Sequence, residues 1–376
     1  MQRKQEHLRR RWNRLLSCAH PKLDKHGITI QVKLGSGGYG TVYKGTRNRE
    51  PIVVKLFDLI PGIERYPDIN LENARNSIIG FLYEIVAQFH VKAAKHQNRP
   101  GLQHISTVND PIQENIFITD RLQGAIVYPF VTYTSMDNFM DRYFPKLPWY
   151  REKVLKSARS LATSILALHQ EGLVHLDVKP DNIILDETID PVLIDLGFLC
   201  SKTPLPAKDL QAFQTLMTDM ASSVTDTRTI AVELIRVGFA NADILITTES
   251  CLYSHNAPGY GYHNPNLHHV LSFKSANIND LFGLGITLYE FAVGFRMHQT
   301  SCSGLKANYE NECEDDARAA ILYIEQNPLS GYERLYAFIL QCIKMTETSS
   351  ETPDEVLQNY LDSTQFEMYS SDIRTA

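Results

Sequence analysis

His175-Leu176-Asp177-Val178-Lys179-Pro180-Asp181-Asn182 (HLDVKPDN) is followed, thirteen residues after Asn182, by Asp195-Leu196-Gly197, and these two stretches decide how the chain is read. Asn182–Asp195 (NIILDETIDPVLID) consists of two apolar runs split by the polar Asp186–Asp190, which is a hairpin signal. A hairpin returns its ends to one point. It therefore gathers a carboxylate (Asp177), an ammonium (Lys179), an amide (Asn182) and a second carboxylate (Asp195). Phosphoryl transfer from a metal nucleotide needs those groups. Asp177 can orient and deprotonate a hydroxyl, Lys179 can neutralise charge on the moving phosphoryl group, and Asn182 and Asp195 can hold Mg²⁺.

Upstream, Leu34-Gly35-Ser36-Gly37-Gly38-Tyr39-Gly40-Thr41-Val42 has the form GxGxxGxV. Glycines let a backbone pass close to phosphate oxygens without a Cβ clash. A Rossmann turn has the same glycine spacing, so the flanks must decide. The next element is a strand pattern (TVYKGT), not a helix, and no βαβ unit follows. ITIQVKL, TVYKGT and PIVVKLF read as strands separated by the glycine turn and by TRNRE. A helical pattern covers about 71–95, with Ile78, Leu82, Ile85 and Phe89 as its apolar stripe. ENIFITD and GAIVYPFV form another strand pair. From about residue 133 the patterns are mostly helical, with an amphipathic segment at 149–170 and an apolar one at 279–294.

These residues, in this order, resemble the protein kinase catalytic core, and the resemblance covers about residues 28–365. It implies an α+β, two-lobed protein-kinase-like fold: a β-rich N-lobe at 27–132 and a mostly helical C-lobe at 133–365, with a C-terminal tail at 366–376. ATP and Mg are the implied cofactors. Lys55, in Val53-Val54-Lys55 and fifteen residues after Gly40, takes the place of the family's lysine on the α/β-phosphates. Its glutamate partner is Glu84 of FLYEIVAQFHV, with Glu72 as the competing choice; the 29-residue gap implies an insertion at about 58–72. Gly35, Gly37 and Gly40 form the phosphate loop, Leu34 and Val42 cover the adenine, and Ile184 makes its floor. IVYPFVTYTSMDNFM puts Tyr128 at the gatekeeper and Pro129 and Phe130 in the hinge. A bulky gatekeeper implies a closed back pocket, and Pro129 has no N–H to offer adenine. Asp177, Lys179 and Asn182 are the implied catalytic residues, and Asn182 and Asp195 the metal ligands. Asp280 matches the aspartate that opens the family's central buried helix, a structural role.

The departures from the family are specific. Its usual HRD arginine is Leu176, which implies activity without a loop phosphate to pair with that arginine. Leu196 replaces the common phenylalanine of DFG. Gly261–Asn266 (GYHNPN) fits the end of the activation segment, but Asn266 stands where a glutamate is usual and Ser350 where its arginine partner aligns. Losing both halves of a buried ion pair is far less costly than stranding one. Gly259 replaces the family's threonine. Asp195 to Asn266 spans 72 residues, longer than the family's segment, and DLQAFQTLMTDM and TIAVELIRVGFA within it read as helices. The helical insertion at about 199–258 could clamp substrate, block the site, serve as a homodimer or partner surface, or pack as an ordinary insertion.

At 376 residues the chain exceeds one ordinary core, so two lobes or domains are expected. Its net charge of −6 is not that of a nucleic-acid binder. Charge is uneven: residues 1–25 carry +6, and 306–376 hold fourteen acids against five bases. Leu8, Trp12, Leu15 and Leu16 make a basic amphipathic helix within 1–26 that could lie on an anionic surface, though packing on the first lobe is favoured. Six scattered cysteines (18, 200, 251, 302, 313, 342) suggest single thiols in a reducing compartment. No apolar run is long enough for a transmembrane segment, and no secretory signal is read. The expected location is cytoplasmic; the divergence also suits a secreted effector, such as a bacterial one, acting in a host cytosol.

The expected function is that of a Ser/Thr protein kinase acting on a protein substrate, Lys179 being typical of that class. Two rivals stand beside it. A pseudokinase-like scaffold would work through the insertion, and intact Lys55, Asp177, Asn182 and Asp195 argue against it. A small-molecule kinase shares the Asp/Asn/Asp arrangement but usually lacks the equivalent of Lys179-Pro180.

Overall fold

The structure, a computed structural model, describes residues 23–24, 26–37, 40–60, 71–119, 122–131, 134–142, 149–223, 235–239, 264, 272–297 and 309–374, with backbone alone at 37, 71, 142, 309–316 and 365–374. In chain order the strands and helices are β1 (Ile28–Gly37), β2 (Gly40–Arg47), β3 (Glu50–Asp58), α1 (Leu71–Lys95), β4 (Ile116–Ile118), β5 (Gln123–Pro129), β6 (Thr134–Ser135), α2 (Met136–Arg142), α3 (Tyr150–Gln170), β7 (Leu173–Val174), β8 (Ile183–Leu185), β9 (Pro191–Leu193), β10 (Cys200–Ser201), α4 (Ala207–Ser223), α5 (Phe273–Val293), α6 (Tyr309–Gln326), α7 (Glu333–Lys344) and α8 (Pro353–Arg374). They belong to two compact units. One takes in residues 1–89, 107–130 and 205–248, the other 90–106, 131–204 and 249–376.

The first unit is built on a five-stranded antiparallel sheet in the order β1-β2-β3-β5-β4. Asn48 and Arg49, both at positive φ, close the β2–β3 hairpin between paired Arg47 and Glu50, as a two-residue turn matching strand twist requires. On α1, Ala74, Ile78, Phe81, Leu82, Ile85, Val86 and Phe89 recur every three or four residues. They bury themselves with Phe57, Ile116, Ile118 and Ile126 of the sheet. Helix α4 joins the same core through Phe213, Leu216, Met217 and Met220. The long segment after Gly197 thus gives its first helix to the unit that carries the sheet.

The second unit is mostly helical around α5, which is buried on nearly every side. Ser272 Oγ caps it by accepting from the Ser275 N–H, 3.1 Å away. Gly294, at φ 78°, ends it while its N–H donates to the Glu290 carbonyl. Helices α3 and α7 pack on α5, and α8 packs on α3. A small sheet, β6-β8-β9, and the β7–β10 pair lie in the same unit. None of the described helices is long and apolar enough to cross a membrane.

One expectation is corrected. Cys200 is disulfide-bonded, so the cysteines are not all single thiols. Pairing is set by distance in space, which sequence spacing does not report. Cys342, by contrast, is free and buried. Also outside them are the basic helix expected within 1–26 (apart from 23–24 and His26), Gly259, GYHNPN apart from Asn264, and TIAVELIRVGFA apart from 235–239.

Candidate active site

The candidate residues fall into two sets, one in each unit. In the first unit, β1 and β2 form the glycine hairpin, with Gly35 opposite Val42 and Gly37 opposite Gly40. Two of its glycines serve different ends. A Cβ on Gly40 would stand 2.3 Å from the Leu56 carbonyl oxygen, so the sheet itself demands glycine there. Among the described residues a Cβ on Gly35 would meet nothing within 4 Å. Leu34 is 51% exposed. Val42 pairs with Lys55 across β2–β3.

Lys55 projects from β3 and its Nζ lies 2.9 Å from Glu84 Oε2. Glu84 is 1% exposed on α1, whereas Glu72, the competing choice, sits exposed in the first turn of that helix. The second carboxylate oxygen of Glu84 accepts a 2.6 Å hydrogen bond from the Tyr128 hydroxyl. Gln88 Nε2 donates to the same hydroxyl at 3.2 Å, and its amide oxygen accepts from the Val108 N–H at 3.0 Å. The sequence marked Tyr128 for bulk; the structure adds this polar chain. Gln88 was not singled out, although its place four residues after Glu84 on one helix face was a signal. Pro129 ends β5 opposite Ile52, and the Lys44 ammonium sits 4.2 Å from the Phe130 ring centre.

In the second unit, β8 and β9 form the expected hairpin, and the Ile194 N–H donates to the Asn182 carbonyl at its open end. Lys179 Nζ donates to both Asp177 carboxylate oxygens at 2.8 Å. Asn182 Nδ2 donates to Asp177 Oδ2 at 2.6 Å and to its backbone carbonyl at 2.9 Å. With its amide nitrogen committed to Asp177, the Asn182 side chain keeps its oxygen as the atom suited to a cation. Burial pushes the Asp177 carboxyl above the usual carboxylate range; Lys179 opposes this and the nearby Asp195 charge adds to it. Asp195 itself is held at φ 61°. Ile184 is half-buried and pairs with Ser135 and Val192.

The loop bearing Asp177 is anchored from below. Asp280 of α5, fully buried, accepts from the His175 N–H at 2.8 Å and from the Leu176 N–H at 2.6 Å. Leu176, at φ 65°, packs with Val174, Cys200 and Ala276. An apolar side chain directed into the core explains how the loop does without an arginine there. His175 Nε2 lies 3.1 Å from the Ile194 carbonyl, which ties the loop to the hairpin. Arg296 bridges Asp137, at 2.8 Å, and Asp181, at 2.7 Å. No local signal could have found Arg296, whose partners are more than a hundred residues away. Ser350 is exposed, as suits a position with no buried ion pair to complete.

No family model matches the chain. It is 27% identical over 191 residues to rust resistance kinase Lr10 of Triticum aestivum, covering 48% of this chain and 25% of that protein. It is 29% identical over 174 residues to the serine/threonine-protein kinase grp of Drosophila melanogaster, covering 46% and 28%. The chain thus spans about a quarter of the length of these relatives. Among solved structures, that of vaccinia related kinase 3 matches 91% of this chain and 88% of its own, at 15% identity and a TM-score of 0.52. The architecture is therefore the two-lobed protein kinase fold. In sequence the chain is similar to protein kinases over about half of its length.

Proposed function

We propose that this chain is a Ser/Thr protein kinase that transfers the γ-phosphate of Mg-ATP to a protein hydroxyl. The observation that carries this reading is Asp177: a buried carboxylate, raised in pKa, held by Lys179 and Asn182 on a loop anchored to α5. A carboxylate so placed can accept the hydroxyl proton as the new oxygen–phosphorus bond forms and ADP departs. Lys179 then faces the charge of the transferred group, and Lys55, kept in place by Glu84, that of the α/β-phosphates. Among the described residues no three His, Cys, Asp or Glu side chains gather as a metal cage. Mg²⁺ needs no such cage, because nucleotide phosphates and water complete its octahedron and one or two side-chain oxygens suffice. Asn182 and Asp195 fit that requirement. When bound, the metal nucleotide supplies the phosphoryl group and neutralises its charge.

The space at Gly35, which none of the described residues fills, supports close passage of a phosphate. Leu176, packed in the core, supports catalysis that does not wait on a phosphorylated loop. The test is transfer of labelled γ-phosphate from Mg-ATP to the chain itself and to a generic basic protein. Asp177→Asn is expected to slow transfer by about 10²–10⁴. Label on Ser/Thr that persists unchanged in Asp177→Asn would sink the assignment. ATP binding with no transfer by wild type would favour the scaffold instead.

A further inference from the structure

The insertion after Gly197 has no role in the reading above, yet its described part occupies a telling place. From Phe213 to Met220, α4 presents Phe213, Leu216, Met217 and Met220 at helical spacing to one hydrophobic core. The same core takes in Ile78, Phe81, Leu82, Ile85, Val86 and Phe89 of α1, which are the residues around Glu84. Phe213 meets Phe89 edge-on at 5.8 Å between ring centres. The short helical stretch 235–239 closes on the same helix: Phe239 lies 6.5 Å from Phe81, and Ile235 is fully buried. Gly238 approaches so closely that a Cβ there would stand 2.7 Å from Ile78 Cγ2. Helix α1 is thus packed both by the sheet, through Phe57, Ile116 and Ile126, and by the insertion.

From this packing we infer that residues 205–223 and 235–239 are a positioning element for Glu84, holding α1 in the station where the Lys55–Glu84 pair is made. The inference rests on the kinase reading for its consequence in catalysis, though not for its structural content. Its physical basis is short range. A 2.9 Å ion pair with a buried carboxylate tolerates little displacement of the helix that carries it. Close-packed interiors transmit displacement rather than absorb it.

The experiment uses the full chain and a wedge at the tightest contact. Gly238→Ala places a methyl against Ile78, whose branched side chain has few rotamers to retreat into. Gly238→Ala with Ile78→Ala removes the opposing methyl and restores clearance. Phe213→Leu shortens the other contact without a clash. Amide hydrogen exchange over 78–89 is read alongside kcat and the KM for Mg-ATP, in wild type and in a Glu84→Gln background. Gly238→Ala is expected to speed exchange over 78–89 by about tenfold. It should also lower kcat/KM, with both effects smaller in the Gly238→Ala/Ile78→Ala double variant. In Glu84→Gln the wedge should cost no further activity, because the pair it acts through is already gone. Unchanged exchange over 78–89 in both Gly238→Ala and Phe213→Leu overturns the inference, whatever happens to the melting temperature. Equal activity losses in both backgrounds overturn it too. If wild type transfers no phosphate, the kinase reading fails on its own, and exchange still decides whether the insertion holds α1.

Discussion

At the scale of single residues, Glu84 shows how a buried charge is made tolerable. One carboxylate oxygen faces the Lys55 ammonium and the other accepts from the Tyr128 hydroxyl, so each has a strong donor. Tyr128→Phe removes one oxygen and little volume. It is expected to destabilise the protein by about 1–2 kcal/mol, read by thermal or denaturant unfolding. It should also raise the KM for Mg-ATP as Lys55 loses its fixed partner, and an unchanged KM would show that Lys55 alone orients Glu84. Much of this was legible. Lys55 follows from its spacing to the glycine loop, and Glu84 from the pattern FLYEIVAQFHV. The polar role of Tyr128 was not legible, because a tyrosine in a strand pattern reads as apolar bulk until its hydroxyl has a neighbour 44 residues away.

At the scale of elements, α5 makes the loop bearing Asp177 rigid. Its Asp280 accepts from two successive backbone N–H groups and also faces His169 Nε2 at 3.2 Å. Asp280→Ala leaves those donors and a buried imidazole without their carboxylate. The expected cost is about 3–5 kcal/mol in denaturant unfolding, with loss of phosphate transfer in the folded fraction. A stable, active Asp280→Ala variant would mean the loop is held by His175 and Ile194 instead. Element types were largely readable, because periods of two and of 3.6 are local properties. The 71–95 helix and the 149–170 helix appear with nearly those bounds. Helix α5 begins at Phe273, six residues before its apolar run suggested, because the Ser272 cap starts it within a more polar stretch.

At the scale of the whole molecule, distant helices of the second unit are joined through one ring. His169 of α3 lies between Asp280 of α5 and Asp354 of α8, each 3.2 Å from a ring nitrogen. Burial works against its charge, but hydrogen bonds and the charges of the two carboxylates outweigh this and raise its pKa above the usual imidazole value. A histidine raised on folding contributes its full stabilisation below the unfolded value of about 6.5 and loses it as pH rises through the folded value. The melting temperature should therefore fall as pH rises above about 6.5, and the fall should be shallower in Asp354→Asn. The same slope in both proteins would remove His169 as its source.

By itself the sequence determined the likeness to protein kinases, the order of strands and helices, and which residues make up the two candidate sets. Those depend on neighbours within a turn, a hairpin or a helix face. Only the tertiary structure decided where the described part of the long insertion packs, that Cys200 is paired, that Gln88 and Tyr128 brace Glu84, and that Arg296 joins Asp137 to Asp181. Phe213 and Phe89 are 124 residues apart, and four uses of the insertion fitted its amphipathic pattern equally well. The reason is physical: periodicity shows that a helix has a face to bury, whereas what that face meets is chosen by competition among all the apolar surfaces of the folded chain.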